Sequence, residues 1–269
     1  RKFSWDTNIN FSLSHNKLLE LGGEQQMISL GERNEGYLAK VGEPLIQFYG
    51  YKTCGVWNSA EEIAANPHFS DDAPGGIRIV DTNNDGSLTP EDRVALGTPY
   101  PDFTWGITNT FQIKDFDISF LIQGVQGITV LNGDVYYNET KKWNKKYTKN
   151  RWVSAEHPGD GKTPYQNVKT GHDLMLTDYP LQNASYACLR NFTVGYTLPA
   201  TAARKIKLSG VRFYVSGSNL LYIWGSGYKG INPESRMTSG NYSSAMISGY
   251  QRGGFPLTST ISAGFDINF

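Results

Sequence analysis

The twelve residues from Asp81 to Asp92, "DTNNDGSLTPED", place oxygen donors at spacings that suit a hard cation. Calcium takes about six to eight oxygens, and a loop of about 12 residues supplies them from positions 1, 3, 5, 7 and 12 around a glycine at 6. In this segment those positions are Asp81, Asn83, Asp85, the Ser87 carbonyl and Asp92, with Gly86 at the bend and Leu88 as a buried anchor. The last ligand is Asp where the EF-hand pattern has Glu, which shortens its reach. A metal-free reading fits the same residues. Thr89 is a good N-cap and Pro90 a good first helical residue. Asp92 would then accept from a backbone N–H, while Asp81 and Asn83 make Asx-turns. Both readings are open on sequence grounds, and in either the loop stiffens a structure and catalyses nothing.

Other constellations are poor in chemistry. The four histidines, His15, His68, His157 and His172, form no pair at helical spacing, so a zinc site is not expected. Cys54 and Cys188 have no metal or redox spacing, and the sequence leaves open whether they meet as a disulfide. No two carboxylates are placed for glycoside hydrolysis, and there is no G-x-S-x-G elbow for a serine nucleophile. The expectation is therefore a protein that is not an enzyme. Lys plus Arg is 25 and Asp plus Glu is 25, so no basic field exists to hold a phosphate backbone, and nucleic acid is not an expected partner. One cationic cluster, "TKKWNKKYTKNRW", reads as a solvated loop. Loop aromatics Tyr136, Tyr137, Trp143, Tyr147, Trp152 and Tyr165 could stack on sugar rings or pack a small loop core, and Trp224 and Tyr228 could do so or sit in an interfacial belt.

The elements that would carry such loops show a period of two. The chain opens with Phe3, Trp5, Ile9, Phe11 and Leu13 on one parity and Ser4, Asp6, Asn8, Asn10 and Ser12 on the other. "FTWGITNTFQIKDFDISFLIQGVQG" contains two such runs around a two-residue turn at Lys114-Asp115. "RNFTVGYTLP" and "GVRFYVSGSNL" follow the pattern, as does the closing "TSTISAGFDINF". "PLIQFYGYKTCGVW" reads as a less regular seventh strand. Most runs are about nine to twelve residues, long against the five or six usual in soluble sheets. They match the roughly 9–11 residues a tilted strand needs to cross a bilayer. Turns are short at one end, whereas Gly127 to Ala184 and Tyr222 to Leu257 are long connections at the other, the layout of an outer-membrane barrel. Mean hydropathy is −0.43, and no apolar run is long enough for a membrane-spanning helix, which leaves barrels untouched. The 13% aromatic content suits interfacial girdles.

Seven strands cannot close a membrane barrel, and open edges in lipid carry unpaired backbone groups. Residues 1–269 are thus expected to be one portion of a barrel whose remaining strands lie elsewhere in the same receptor. The absence of a leader and of an initiator Met, with an opening in mid-pattern, gives the same expectation of a longer or processed chain.

The blocks "GEPLIQFYGYKTCGVWNSAEEI", "VDTNNDGSLTPEDRVALGTPYPDFTWGI", "ASYACLRNFTVGYTLP", "VRFYVSGSNLLYI", "GYKGINPES" and "FPLTSTISAGFDINF", in that order, resemble the C-terminal third of SusC/RagA-type TonB-dependent outer-membrane transporters. The resemblance implies an all-β, antiparallel transmembrane barrel of about 22 strands around an N-terminal plug, with long extracellular loops. It implies location in the outer membrane of a Gram-negative, Bacteroidota-type cell, in contact with its lipid. It further implies energy from TonB, a SusD-type surface lipoprotein as lid, and import of oligosaccharides or oligopeptides. The plug has no counterpart in this sequence. Where the family writes Tyr-x-Arg-Leu-Arg, this chain has "YACLRN", so Cys188 stands in place of the first Arg and that lumen charge is not carried over. Barrel proteins also suggest that the terminal Phe269 is read by the assembly machinery, besides being the last lipid-facing residue. The competing expectation is a soluble, calcium-stabilised β module that binds glycans, such as an adhesin.

Overall fold

A computed structural model describes residues 3–31, 34–135, 149–165, 174–235 and 247–269. Six long strands form one antiparallel sheet, here the wall: Phe3–Leu13, Phe103–Ile113, Phe116–Gln126, Tyr186–Thr197, Gly210–Trp224 and Thr260–Asn268, hydrogen-bonded in that order. These are the six regular runs of the sequence, referred to below as the first to sixth wall strands. The first pairs with the second without a slip from Phe3↔Ile113 to Leu13↔Phe103, and the second with the third likewise. One row therefore crosses the sheet as Trp5, Phe111, Ile118, Val194, Val215 and Ala263, all apolar. An adjacent row reads Ser4, Gln112, Asp117, Gly195, Tyr214 and Gly264. The pleat puts alternate rows on opposite faces, so one face is mostly apolar, with Thr7 and Asn109 as polar residues on it, and the other mostly polar.

No second sheet covers the greasy face. Phe265 remains 65% exposed and Ile9 69% exposed, and Phe269 at the end of the chain is 95% exposed. In water such a surface would be untenable; in a bilayer it is the hydrocarbon contact of a transmembrane barrel segment.

The fourth wall strand has an irregularity that the sequence pattern hides. Its register to both neighbours shifts between Leu189 and Asn191: Arg190 is an extra residue against the third strand, and on the other side it alone faces Asn219 and Leu220 of the fifth. A one-residue bulge inverts the parity that follows it. Ala187 and Leu189 thus share the apolar face with Phe192, Val194 and Tyr196, although they differ in odd–even position. The fifth strand opposite accommodates the bulge with Asn219, whose φ is 55°.

The connections divide by end. Lys114-Asp115 joins the second and third strands, with Lys114 at φ 53°. Residues 198–209 join the fourth and fifth and include a short helix, Ala200–Lys205, which the sequence reading had not anticipated. At the opposite end residues 14–102, 127–185 and 225–259 form the long extracellular connections, and their described parts fold together into a cap. It contains a four-stranded sheet (Gln26–Leu30, Gly36–Lys40, Gln47–Gly50, Val94–Gly97), a two-stranded sheet (Thr53–Val56, Ile77–Ile79) and a three-stranded sheet (Leu181–Asn183, Thr129–Asn132, Tyr250–Gln251).

The expected seventh barrel strand is corrected here. "PLIQFYGYKTCGVW" breaks at Tyr51-Lys52 into two short strands belonging to different sheets of the cap. Phe48, Tyr51, Val56 and Trp57 from it are all buried. The physical reason is enclosure on both faces: Gln47, Phe48 and Gly50 are buried irrespective of parity, so there is no lipid side to enforce alternation. Residues 174–178 run directly over it, with Tyr51 N–H donating to Leu176 O at 2.8 Å and Asp178 N–H to Tyr51 O at 3.0 Å. The cap's core consists of apolar clusters around Phe48 and Met175, around Tyr51 and Leu174, and around Val130 and Tyr228.

Candidate functional site

Loop 81–92 lies in the cap and is built on carboxylate–amide bonds. Asp81 accepts from the N–H groups of Asn84 (2.7 Å) and Gly86 (2.8 Å), Asn83 Oδ1 from Asp85 N–H (2.9 Å), and Asp85 Oδ1 from Ser87 N–H (2.8 Å). Asp92 is fully buried and accepts from Thr82 N–H and Thr89 N–H, both at 2.8 Å. Thr89 Oγ1 in turn accepts from Glu91 N–H at 3.2 Å, and Pro90–Asp92 forms a single 3-10 turn behind that capping box. Burial by itself would raise the Asp92 pKa, but the amides of Thr89, Thr82 and Asn83 outweigh it and hold the carboxyl below its ordinary range. Side chains 83 and 85 meet, since Asn83 Nδ2 donates to Asp85 Oδ2 at 2.9 Å, whereas Asp81 and Asp92 are directed at backbone amides. Ser87 takes part through its backbone N–H. No group of three metal-binding side chains is assembled among the described residues.

The polar face of the wall holds the second concentration of chemistry. Arg212 on the fifth strand forks onto Asp117 of the third, with Nε–Oδ1 at 3.0 Å and Nη2–Oδ2 at 2.7 Å, and its remaining nitrogen reaches Asp266 at 3.2 Å. The fork spans the intervening fourth strand only because residue 195 is glycine. A Cβ there would collide with both the Asp117 carboxylate and the Arg212 guanidinium. Nearer the extracellular end, Arg190 on the bulge pairs with Glu234 of the 225–259 connection and donates to Asn219 Oδ1 (2.7 Å) and Tyr222 OH (2.9 Å). The bulge thus aims a cation inward and ties an extracellular loop to the wall. Most other side chains on this face are Ser, Thr, Asn and Gln, a lining that forms hydrogen bonds with little net charge. Such a surface suits a hydrated lumen and has no nucleophile poised by a base.

Comparison with known proteins fits this geometry. No family model matches the chain. TonB-dependent receptor P26 of Formosa agariphila is 30% identical over 282 residues, covering 99% of this chain and 27% of that protein. TonB-dependent receptor SusC of Bacteroides thetaiotaomicron is 26% identical over 244 residues, covering 87% of this chain and 22% of that protein. In structure, the RagAB peptide transporter superposes with a TM-score of 0.74 over 100% of this chain and 27% of that one, at 18% identity. The chain's curated homologues are TonB-dependent receptors, SusC among them, and its structural neighbours are RagAB. The chain spans about a quarter of the length of the curated relatives it matches, a share that fits the C-terminal part of the barrel. The 'open-open' state of the RagAB peptide importer superposes with a TM-score of 0.70, again over 100% of the chain.

With the receptor fold in place, the remaining expectations can be located. Cys54 is exposed and Cys188 buried, and both are free thiols. Cys188 faces Tyr222 across the ladder, so the first Arg of the family run is absent, while its second, Arg190, is present and pairs with Glu234. Trp152 and Tyr165 pack edge to face at 6.1 Å, a local loop core. Trp224 meets Tyr228 the same way, and Tyr228 OH donates to Gln251 at 2.8 Å. Tyr136, Tyr137, Trp143, Tyr147, His172 and most of the cationic cluster lie outside the described residues. Sequence reasoning missed both ion-pair networks. Arg212, Asp117 and Asp266 did sit on polar parities, but parity does not say which rows meet.

Proposed function

We propose that this chain supplies wall and extracellular cap to an outer-membrane importer of oligosaccharides or oligopeptides. The importer is energised through TonB and lidded by a SusD-type surface lipoprotein. The observation that carries the reading is the two-faced wall: an uncovered apolar face, a polar face with inward ion pairs, and a whole-chain structural match to RagA-type proteins. The work is physical rather than covalent. The wall bounds a hydrated lumen, and the cap presents a folded surface to cargo and lid. The peptide class is supported by a neighbour's name, since RagAB is described as a peptide transporter, whereas the oligosaccharide class rests on the resemblance to SusC-type receptors. A strain lacking the full gene, grown on single glycans and single peptides, tests the reading. The expected result is loss of growth on one class, restored by the gene. Unimpaired growth on every source, with the protein shown to be present in the outer membrane of the parent strain, would sink it.

Calcium loading of loop 81–92 is a second proposal, supported by the donor spacing and by the contact between the Asn83 and Asp85 side chains. Its effect would be to stiffen the cap. Calorimetric titration of the intact receptor with calcium, beside the Asp85→Ala variant, decides it. Heat that vanishes in the variant supports the site, and no heat at about millimolar calcium, the weak end of such loops, removes it.

A further inference from the structure

The apolar face of the wall does not end evenly at its extracellular rim. Between the third, fourth and fifth strands it runs into a cleft of about 600 Å³. Ala187 belongs to the apolar face because it lies opposite Gly124 and Ile223, and Gln126 does so because it lies opposite Phe103. The room comes from small residues. Gly225 and Gly227 border the cleft, and a Cβ added at either would meet no atom within 4 Å. Directly below lies the row Ile122, Leu189, Leu221, continuous with the hydrocarbon-facing surface.

The cleft's chemistry is mixed and uncharged. Gln126 and Asn183 line it together with Ser226. Asn183 uses its carbonyl oxygen to accept from Ser185 N–H at 2.9 Å, so its –NH₂ group supplies donors that this bond does not use. No Lys, Arg, Asp or Glu is among the lining residues. A phosphate-bearing headgroup would be expected to recruit Lys or Arg. Neutral amides and hydroxyls above a small apolar floor are suited to a sugar ring, with donors and acceptors for its hydroxyls and Ala187 and Ile223 for its C–H face.

We propose that this cleft binds the sugar headgroup of an outer-leaflet glycolipid, whose acyl chains lie down the Ile122–Leu189–Leu221 row. The site lies where the third strand ends at Gln126 and the fifth at Trp224, which is where hydrocarbon gives way to headgroups. The proposal rests on the wall facing outer-membrane lipid and is independent of what the receptor imports.

The test uses the full receptor in phosphatidylcholine nanodiscs doped with equal mole fractions of monoglucosyl diacylglycerol and phosphatidylglycerol, with retained lipid counted by native mass spectrometry. The wild-type receptor is expected to keep the glucolipid in preference to phosphatidylglycerol. Ala187→Phe, which fills the cleft with an apolar ring, should lower that retention about tenfold or more. Gln126→Ala should lower it about fivefold, the loss of about one hydrogen bond. Heat-modifiable gel mobility shows whether each variant has a folded barrel, and Gln126→Ala, which adds no bulk, carries the test if Ala187→Phe does not fold. Equal retention in wild type and folded variants overturns the proposal, as does enrichment of phosphatidylglycerol equal to or above that of the glucolipid. Because folding is read separately, failure here is distinguishable from failure of the barrel assignment.

Discussion

Phe265 in the wall and Trp57 in the cap are both large rings, yet the first is 65% exposed and the second fully enclosed. Trp57 has a complete shell: its N–H donates to Asp72 at 3.2 Å, and the Arg78 guanidinium lies 4.8 Å from its ring. Phe265 lies on the edge strand, opposite Phe213 of the fifth wall strand. The wall is one layer whose other layer is solvent of a different kind, whereas the cap makes its own interior. A side chain removed from the cap leaves a void, and one removed from the wall leaves space that lipid can fill.

This contrast is strongest for truncations. Trp57→Ala should cost about 3–5 kcal/mol, and Phe265→Ala under about 1 kcal/mol, in denaturant unfolding of the lipid-reconstituted receptor. Comparable losses at the two sites would break the distinction. Charge inverts the order. Ile261 shares a row with Gly217, Phe192, Phe120, Asn109 and Thr7, close to mid-wall, so Ile261→Arg should cost about 2–4 kcal/mol. Phe265→Arg, nearer the rim, should cost less. Equal penalties at the two depths would argue against hydrocarbon on that face.

Within the cap, Asp92→Ala removes a buried, charge-assisted acceptor and should cost about 1.5–3 kcal/mol. The Asp92 pKa is depressed on folding, so its contribution is present above the ordinary value of 3.8 and is lost as pH falls below that through the folded value. In Asp92→Asn the acid limb of a thermal-stability profile should flatten below pH 3.8; an unchanged limb would mean that other carboxylates set it. The smallest effect belongs to the wall's polar face. Arg212 and Asp117 are each partly solvated, so the coupling between Arg212→Met and Asp117→Asn in a double-mutant cycle should be about 1 kcal/mol or less. Coupling several times larger would show that the lumen there excludes water.

The two regions also differ in how much the sequence disclosed. All six wall strands were legible because one face meets lipid along its length, which imposes alternation on most residues from Phe3 to Leu13 and from Phe116 to Ile122, Thr7 and Leu121 excepted. The exception is the first half of the fourth strand. The extra residue at Arg190 inverts the parity, so the alternation of "RNFTVGYTLP" does not run back into "YACL". In the cap the strands are two to five residues long and several are enclosed on both faces, so no period marks them, and Gln47–Gly50 was taken for barrel. The donors of loop 81–92 were legible as a set, but their partners were not. Whether Asp92 faces outward or into its own turn depends on burial by neighbours that the motif does not contain.

The sequence by itself determined which faces of which strands meet lipid, because a solvent boundary acts on each residue separately and leaves its period in the chain. Tertiary structure alone decided how those strands are registered, where Arg212 finds Asp117, where Arg190 finds Glu234, and that a gap of small residues opens at the rim beside Ala187. Each of these depends on two or more segments 20 to 100 residues apart arriving at one place, and the separation of polar and apolar residues within one strand carries no information about which partner arrives.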